Sequence, residues 1–251
     1  MAAANLAVEQ GGTEDTRQAL FAFARAALDE SLATFRALGD RSWTAYVLSS
    51  LASAAVTASG DAEEAGRHVA AGLALAREAG DRWLIAYLTH FAGRGAFFAG
   101  DHDGAAAAFT ESVAVARDIG GHSVGEGYGL YWLGRIALVQ GDLARAASFQ
   151  REALALFAAA GNLQGLATVG AACGDLASRQ GAARRAAVLL GAVEAWRADR
   201  RIFLEPDVGA GLERQLAQAR DALGEPAFGA ARAEGRALEP AALVAAALAG
   251  G

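Results

Sequence analysis

The sequence predicts an all-α fold: an α-solenoid built of helix hairpins about 40 residues long, closed by a C-terminal helical cap. Three observations predict it. Gly-Asp or a near equivalent recurs at Gly39-Asp40, Gly80-Asp81, Gly120-Gly121 and Gly161-Asn162, in steps of 41, 40 and 41 residues. A second series falls midway, at Gly60-Asp61, Gly100-Asp101, Gly141-Asp142 and Gly181-Ala182, stepping 40, 41 and 40. A small residue follows each inner break in constant register: Ala65, Ala105, Ala146 and Ala186. Self-similarity at a fixed period of this size marks a stacked array. The breaks have a chemical cause. The residue after a helix C-terminus often needs positive φ, which Gly adopts at little steric cost. The Asp after it can cap the next helix by accepting its free N–H groups.

Taken in order, residues 1–12 read as the last turns of a helix, since residues 5–11 parallel residues 136–141. A polar link over 12–16 leads to a helix over 17–38. Paired units follow, so that the array covers residues 1–200 with units near 1–40, 41–80, 81–121, 122–162 and 163–200. In the best-formed unit, 122–162, Leu133, Gly134, Ala137, Ala146 and Ala153 fall where two antiparallel helices need one large and several small contact residues. The last second helix, 183–199, keeps helical spacing through Ala187, Leu190, Val193 and Trp196. Residues 200–205 form a link that does not repeat. Pro206, Pro226 and Pro240 each start a helix, because Pro is favoured at the first helical position. These helices make the cap, residues 201–251. The array starts partway through a unit and shows no polar cap over its apolar end, which such arrays normally carry. The expectation is a fragment of something longer, or an end that meets a partner.

The run L-G-x-x-A-x-x-x-G-D-x-x-x-A over residues 133–146 resembles a tetratricopeptide repeat in a long form. It lacks that motif's closing Pro; no Pro occurs before Pro206. A HEAT-like array of similar length is the structural alternative. The resemblance implies a right-handed solenoid with the first helix of each pair lining an inner groove. Residues 184–196 and 212–249 carry a second resemblance, in which Ala231, Gly235, Arg236, Ala237, Leu238 and Leu248 match an A-x-x-x-G-R-A-L…L ending. It is similar to the closing segment of large bacterial LuxR-type and related signal-transduction ATPase regulators. Such tails also end other multidomain signalling proteins. In those regulators the repeats sense an inducer or partner, while other domains bind ATP and DNA. The sequence has no phosphate loop and no DNA-reading helix-turn-helix, so neither activity transfers to any residue here.

Composition narrows the function classes. Hydrophobic residues make up 54%, enough for a continuous core, and aromatics only 8%, so large side chains are informative where they occur. The net charge of −6 argues against non-specific binding to nucleic acid or anionic membrane. All 22 basic residues are Arg. A Walker A Lys, a Schiff-base Lys and a Lys general base are therefore excluded. The single Cys, Cys173, cannot form an internal disulfide, which fits a reducing, cytoplasmic setting. The N-terminal residues have neither the basic nor the apolar region of a signal peptide. The longest apolar run, 241–251, is too short to span a bilayer.

Counting back from the inner glycines puts chemistry-bearing residues in register on the first helices. Six before lie Arg94, Arg135 and Asp175; ten before, His90 and Tyr131; thirteen before, Tyr87 and Tyr128; two before, Arg179. Spacings of three and four place such residues on one helix face. The candidate groove is therefore Tyr87, His90, Arg94, Tyr128, Tyr131 and Arg135, with Asp175 and Arg179 beyond. Aromatic and Arg side chains are the usual anchors of binding surfaces, and Arg can hold a carboxylate or phosphate through two parallel hydrogen bonds. The plainer alternative is that Tyr and His fill space between adjacent helices and the Arg residues neutralise nearby acids.

Other signals point to structure. The run Asp101-His102-Asp103-Gly104 resembles a calcium loop, but Ala106 and Ser112 stand where that loop needs Gly and Glu, so it reads as a turn with a helix cap. Gly125, Gly127 and Gly129 miss the dinucleotide spacing and read as close helix packing or a flexible start to their helix. Trp43, Trp83 and Trp132 read as repeat-packing residues, and Glu63-Glu64 and Arg184-Arg185 as solvated faces.

The expected function is that of a non-catalytic interaction or sensing scaffold of a cytoplasmic signal-transduction and transcription regulator. It would hold a protein or peptide partner, or a small anionic or polyhydroxylated inducer, and use no metal or cofactor. A homodimerisation module docking through the uncapped end is the alternative. An enzyme using His90 with a nearby carboxylate is the least favoured, because no acid–base pair or metal set recurs at workable spacing.

Overall fold

The computed structural model describes residues 14–120 and 123–249, which form twelve helices and their connections with no strand among them. The readings made for residues 1–12, Gly121 and His122 lie outside the described residues. The helices are α1 (Glu14–Leu38), α2 (Arg41–Ser59), α3 (Ala62–Ala79), α4 (Arg82–Phe98), α5 (His102–Asp118), α6 (Ser123–Val139), α7 (Leu143–Ala159), α8 (Leu163–Arg179), α9 (Ala183–Asp199), α10 (Pro206–Leu223), α11 (Glu225–Arg236) and α12 (Pro240–Leu248). The expected boundaries recur closely. One differs: α1 starts at Glu14, inside the stretch read as a polar link, because polarity marks exposure and does not by itself end a helix.

The Gly-Asp steps work as local chemistry dictates. Gly80 has φ +66, and the Asp81 amide reaches back to the Ala76 carbonyl at 3.0 Å, satisfying the end of α3. The Asp81 carboxylate then accepts from the Leu84 amide at 3.0 Å and opens α4. Asp40, Asp61, Asp101, Asp142 and Asn162 cap α2, α3, α5, α7 and α8 in the same way. The Asp101 turn is thus a helix cap, its carboxylate accepting from Gly104 N at 2.9 Å. The inner break before α9 is the exception: Ala182 stands at the cap and supplies no side-chain bond.

The chain divides into two compact units, Met1–Ile119 and Gly120–Gly251. In the first, α1 packs on α2, α2 on α3, α3 on α4 and α4 on α5, with α2 also meeting α4. Leu48, Leu51, Leu88 and Phe109 are fully buried at its centre. Small residues let the helices approach. Ala65 and Ala105 are buried, and a Cβ on Gly72 would stand 3.2 Å from the Ala45 carbonyl oxygen. Across α1 and α3, Arg25 donates to Glu64 at 2.7 Å.

In the second unit α6 pairs with α7, α7 with α8 and α8 with α9, while α10, α11 and α12 all pack on α9. Leu133, Ala137, Ala146 and Ala153 are buried, as the contact pattern of residues 122–162 predicts. Gly127, from the alternating glycines, packs against Phe157, which leaves 2.7 Å for an added Cβ. Ala186 to Val193 along α9 are buried, because α9 is covered on several sides. Its crossing with α11 is close enough that a Cβ on Gly191 would lie 2.7 Å from the Arg232 carbonyl oxygen. Glu194 on α9 accepts from Arg232 on α11 at 2.6 and 2.8 Å. Arg185, read as solvated, instead donates to the carbonyls of Ala246 and Ala247 at the end of α12. It satisfies groups that a helix C-terminus leaves open.

Candidate functional site

The eight predicted groove residues divide between the units. Tyr87, His90 and Arg94 belong to α4 in the first; Tyr128, Tyr131 and Arg135 belong to α6, and Asp175 and Arg179 to α8, in the second.

On α4, Tyr87 is half-buried and stacks on Trp83 at 5.0 Å, with Phe91 edge-on at 5.0 Å on the other side. Burial raises the Tyr87 phenol above its ordinary range. His90 turns between Phe91 and Phe109, with centroids 6.1 and 5.3 Å away. Burial, helped by the Arg94 charge, lowers its pKa to about 3. A histidine so held is neutral at physiological pH and takes no proton as a general base would need to. The Arg94 guanidinium lies 5.9 Å from the Phe91 ring.

These side chains belong to a larger feature that register counting missed. Aromatic rings follow one another across α1, α2 and α4: Phe35 stacks on Trp43 at 5.4 Å, Trp43 meets Tyr46 at 5.6 Å, and Tyr46 meets Trp83 at 6.3 Å. The row then continues through Tyr87 to Phe91. It is not a closed core. Trp43 is 53% exposed, Tyr46 39% and Trp83 37%. Trp43 and Trp83 do pack on neighbouring rings, as a repeat-packing role requires, but they also present surface. The signal in the sequence was the tyrosine three residues after Trp43 and four after Trp83, which puts each on its tryptophan's helix face.

The second set has a different character. Tyr131 is only 4% exposed, and Tyr128 meets the buried Phe157 edge-on at 4.9 Å. Arg135 lies with its guanidinium carbon 4.5 Å from the Trp132 ring centroid and 5.7 Å from that of Tyr131. One of its nitrogens is 3.4 Å from the Tyr131 hydroxyl and another 2.8 Å from Asp207 Oδ2 at the start of α10. Burial raises both phenols, and the Glu205 carboxylate adds to the shift in each. On α8, Arg179 Nε lies 3.2 Å from both Asp175 oxygens, and its Nη1 donates to the Leu138 carbonyl of α6 at 3.3 Å. Of this set, the structure brings Tyr131 to Arg135 and Asp175 to Arg179.

Cys173 is buried, and burial pushes its thiol up to about 12, far from the reactive range. Among the described residues, no group of three or more His, Cys, Asp or Glu side chains is placed to hold a metal ion, and no helix is long and apolar enough to cross a membrane. No protein-family model matches the chain, and no curated protein matches it.

Proposed function

We propose that this chain is a non-catalytic interaction scaffold, a long-repeat tetratricopeptide-like array that serves a signal-transduction regulator by holding a protein or peptide segment. The observation that carries the reading is the aromatic row Trp43-Tyr46-Trp83-Tyr87, exposed at its first three members, on the first helices of successive hairpins. Exposed Trp and Tyr are large, stiff and amphipathic, and such residues dominate binding energetics at interfaces. The neutral, ring-packed His90 speaks for binding rather than acid–base chemistry. The recurrence of capped Gly turns at fixed period supports the repeat architecture, and the right-handed solenoid and cytoplasmic setting are part of the same proposal.

The test is selection of a displayed peptide library on the full chain, with Trp83→Ala as counter-selection. Peptides that bind the wild type and lose roughly tenfold or more in affinity on Trp83→Ala would support the reading. Failure to enrich any peptide, or binding indifferent to Trp43 and Trp83, would overturn it. A dimer seen by light scattering that dissociates on Trp83→Ala would assign the row to self-association instead.

A further inference from the structure

One position of the array breaks its own pattern. Nine residues after the inner glycines, the second helices of three hairpins carry Val69, Phe109 and Leu190, all apolar and buried. In the hairpin of α6 and α7 that position is Gln150. It is just as buried, with 1% exposed. Its stem packs over Gly134 of α6, where an added Cβ would stand 3.4 Å from Gln150 Cγ. A glutamine in an apolar register must find partners for both an NH2 group and a carbonyl.

Half of the amide is served. Gln150 Nε2 donates to the Ala172 carbonyl of α8 at 3.3 Å. Oε1 is shut off from solvent and meets no donor among the described residues. A buried carbonyl left so bears its desolvation cost uncompensated, which Leu190 in the same register of α9 avoids. Gln150 stands at a cavity of about 20 Å³ among α7, α8, α9 and α12, with Leu154, Cys173, Leu176, Arg185 and Ala247 as further walls. Arg185 reaches it from α9. It donates to the carbonyls of Ala246 and Ala247, and its guanidinium has N–H groups beyond those two bonds. Its charge is close enough to act on the Cys173 thiol.

The walls select the occupant. It must donate a hydrogen bond to Gln150 Oε1, and it can accept one from Arg185. A cation would meet the guanidinium groups of Arg185 and of Arg151, which also lines the cavity. An anion would meet the lone pairs of the Gln150 carbonyl. The volume is that of a single water site, and water needs the two or more polar partners these walls offer.

We propose that this cavity binds one long-lived water molecule, which donates to Gln150 Oε1 and accepts from the Arg185 guanidinium. The water ties α7 to the same arginine that holds the end of α12, so that a polar seam joins the C-terminal cap to the last full hairpins. The site lies wholly in the second unit and the aromatic row in the first, so neither reading rests on the other.

The test is oxygen-17 relaxation dispersion of water in solutions of the full-length protein and of Gln150→Leu, which installs the side chain that α9 carries in this register. The wild-type dispersion is expected to exceed that of the variant by the equivalent of one long-lived water. Equal amplitudes would overturn the proposal. Should Gln150→Leu lose its helical circular dichroism, the wild type alone decides. Cross-relaxation from water to the Leu154 and Leu176 methyl groups is then expected. Its absence, or xenon-induced shifts of those methyls, would show a dry cavity and overturn the proposal.

Discussion

Gly235 of α11 lies so close to the carbonyl oxygen of Val188 in α9 that any Cβ on it would overlap that oxygen. The neighbour is backbone and cannot turn aside. Gly235→Ala is therefore expected to destabilise the protein by about 1–3 kcal/mol, the usual cost of forcing extra volume into a packed contact. Gly229, also on α11 but with nothing near its missing Cβ, supplies the control. Gly229→Ala should be neutral or stabilise by up to about 1 kcal/mol. Urea denaturation of both variants checks the pair, and equal effects would show that the crossing is looser than described.

The same helix crossing is held electrostatically. Hydrogen bonds from Arg232, above all, hold the Glu194 carboxyl below its usual range. A carboxyl with a lowered folded pKa contributes stability above its unfolded pKa and loses it as pH falls through the folded one. Glu194→Gln should therefore cost about 1 kcal/mol at pH 7. The difference from wild type should shrink below pH 4 to 5, where the unfolded carboxyl takes up its proton. Thermal midpoints measured across pH give the result; a gap that grows on acidification would refute the assignment.

Helix caps offer a gain as well as losses. Asp81→Ala removes the bond to Leu84 N and is expected to cost about 1 kcal/mol. At Ala182 the corresponding bond is missing. Ala182→Asp should stabilise by about 0.5–1 kcal/mol, read as a raised denaturation midpoint with unchanged slope.

Cys173 is expected to be silent toward thiol reagents in the native protein, because burial holds its proton on. Ellman's reagent should react with it only at the rate of unfolding, and fast native-state modification would show access that the packing around α8 does not provide.

What the sequence made legible follows from range. The Gly-Asp breaks and the capping acids act within a few residues, so they could be read locally, and helix boundaries came with them. The alternating glycines Gly125, Gly127 and Gly129 pointed to close packing, and Gly127 against Phe157 shows it. The candidate site was harder for two reasons. Counting at a fixed period compares only equivalent positions and so pairs Trp43 with Trp83, but the tyrosines that join them into a row are non-equivalent: Tyr46 corresponds to Ala86, and Tyr87 to Val47. One partner of Arg135, Asp207, comes from the start of α10, outside the repeats, and no periodicity could bring it there. Tyr131, equivalent to His90, was expected at a groove surface and is buried under its neighbours.

The account turns on Trp43 and Trp83 being contact residues while Trp132 and Trp196 are core. The chain has four tryptophans, and the last two are each 2% exposed. Fluorine NMR of 5-fluorotryptophan-labelled protein, titrated with a library-selected peptide, separates them directly. The prediction is that the Trp43 and Trp83 resonances move or broaden while those of Trp132 and Trp196 hold still. Shifts confined to Trp132 and Trp196, or none at all at saturating peptide, would contradict it.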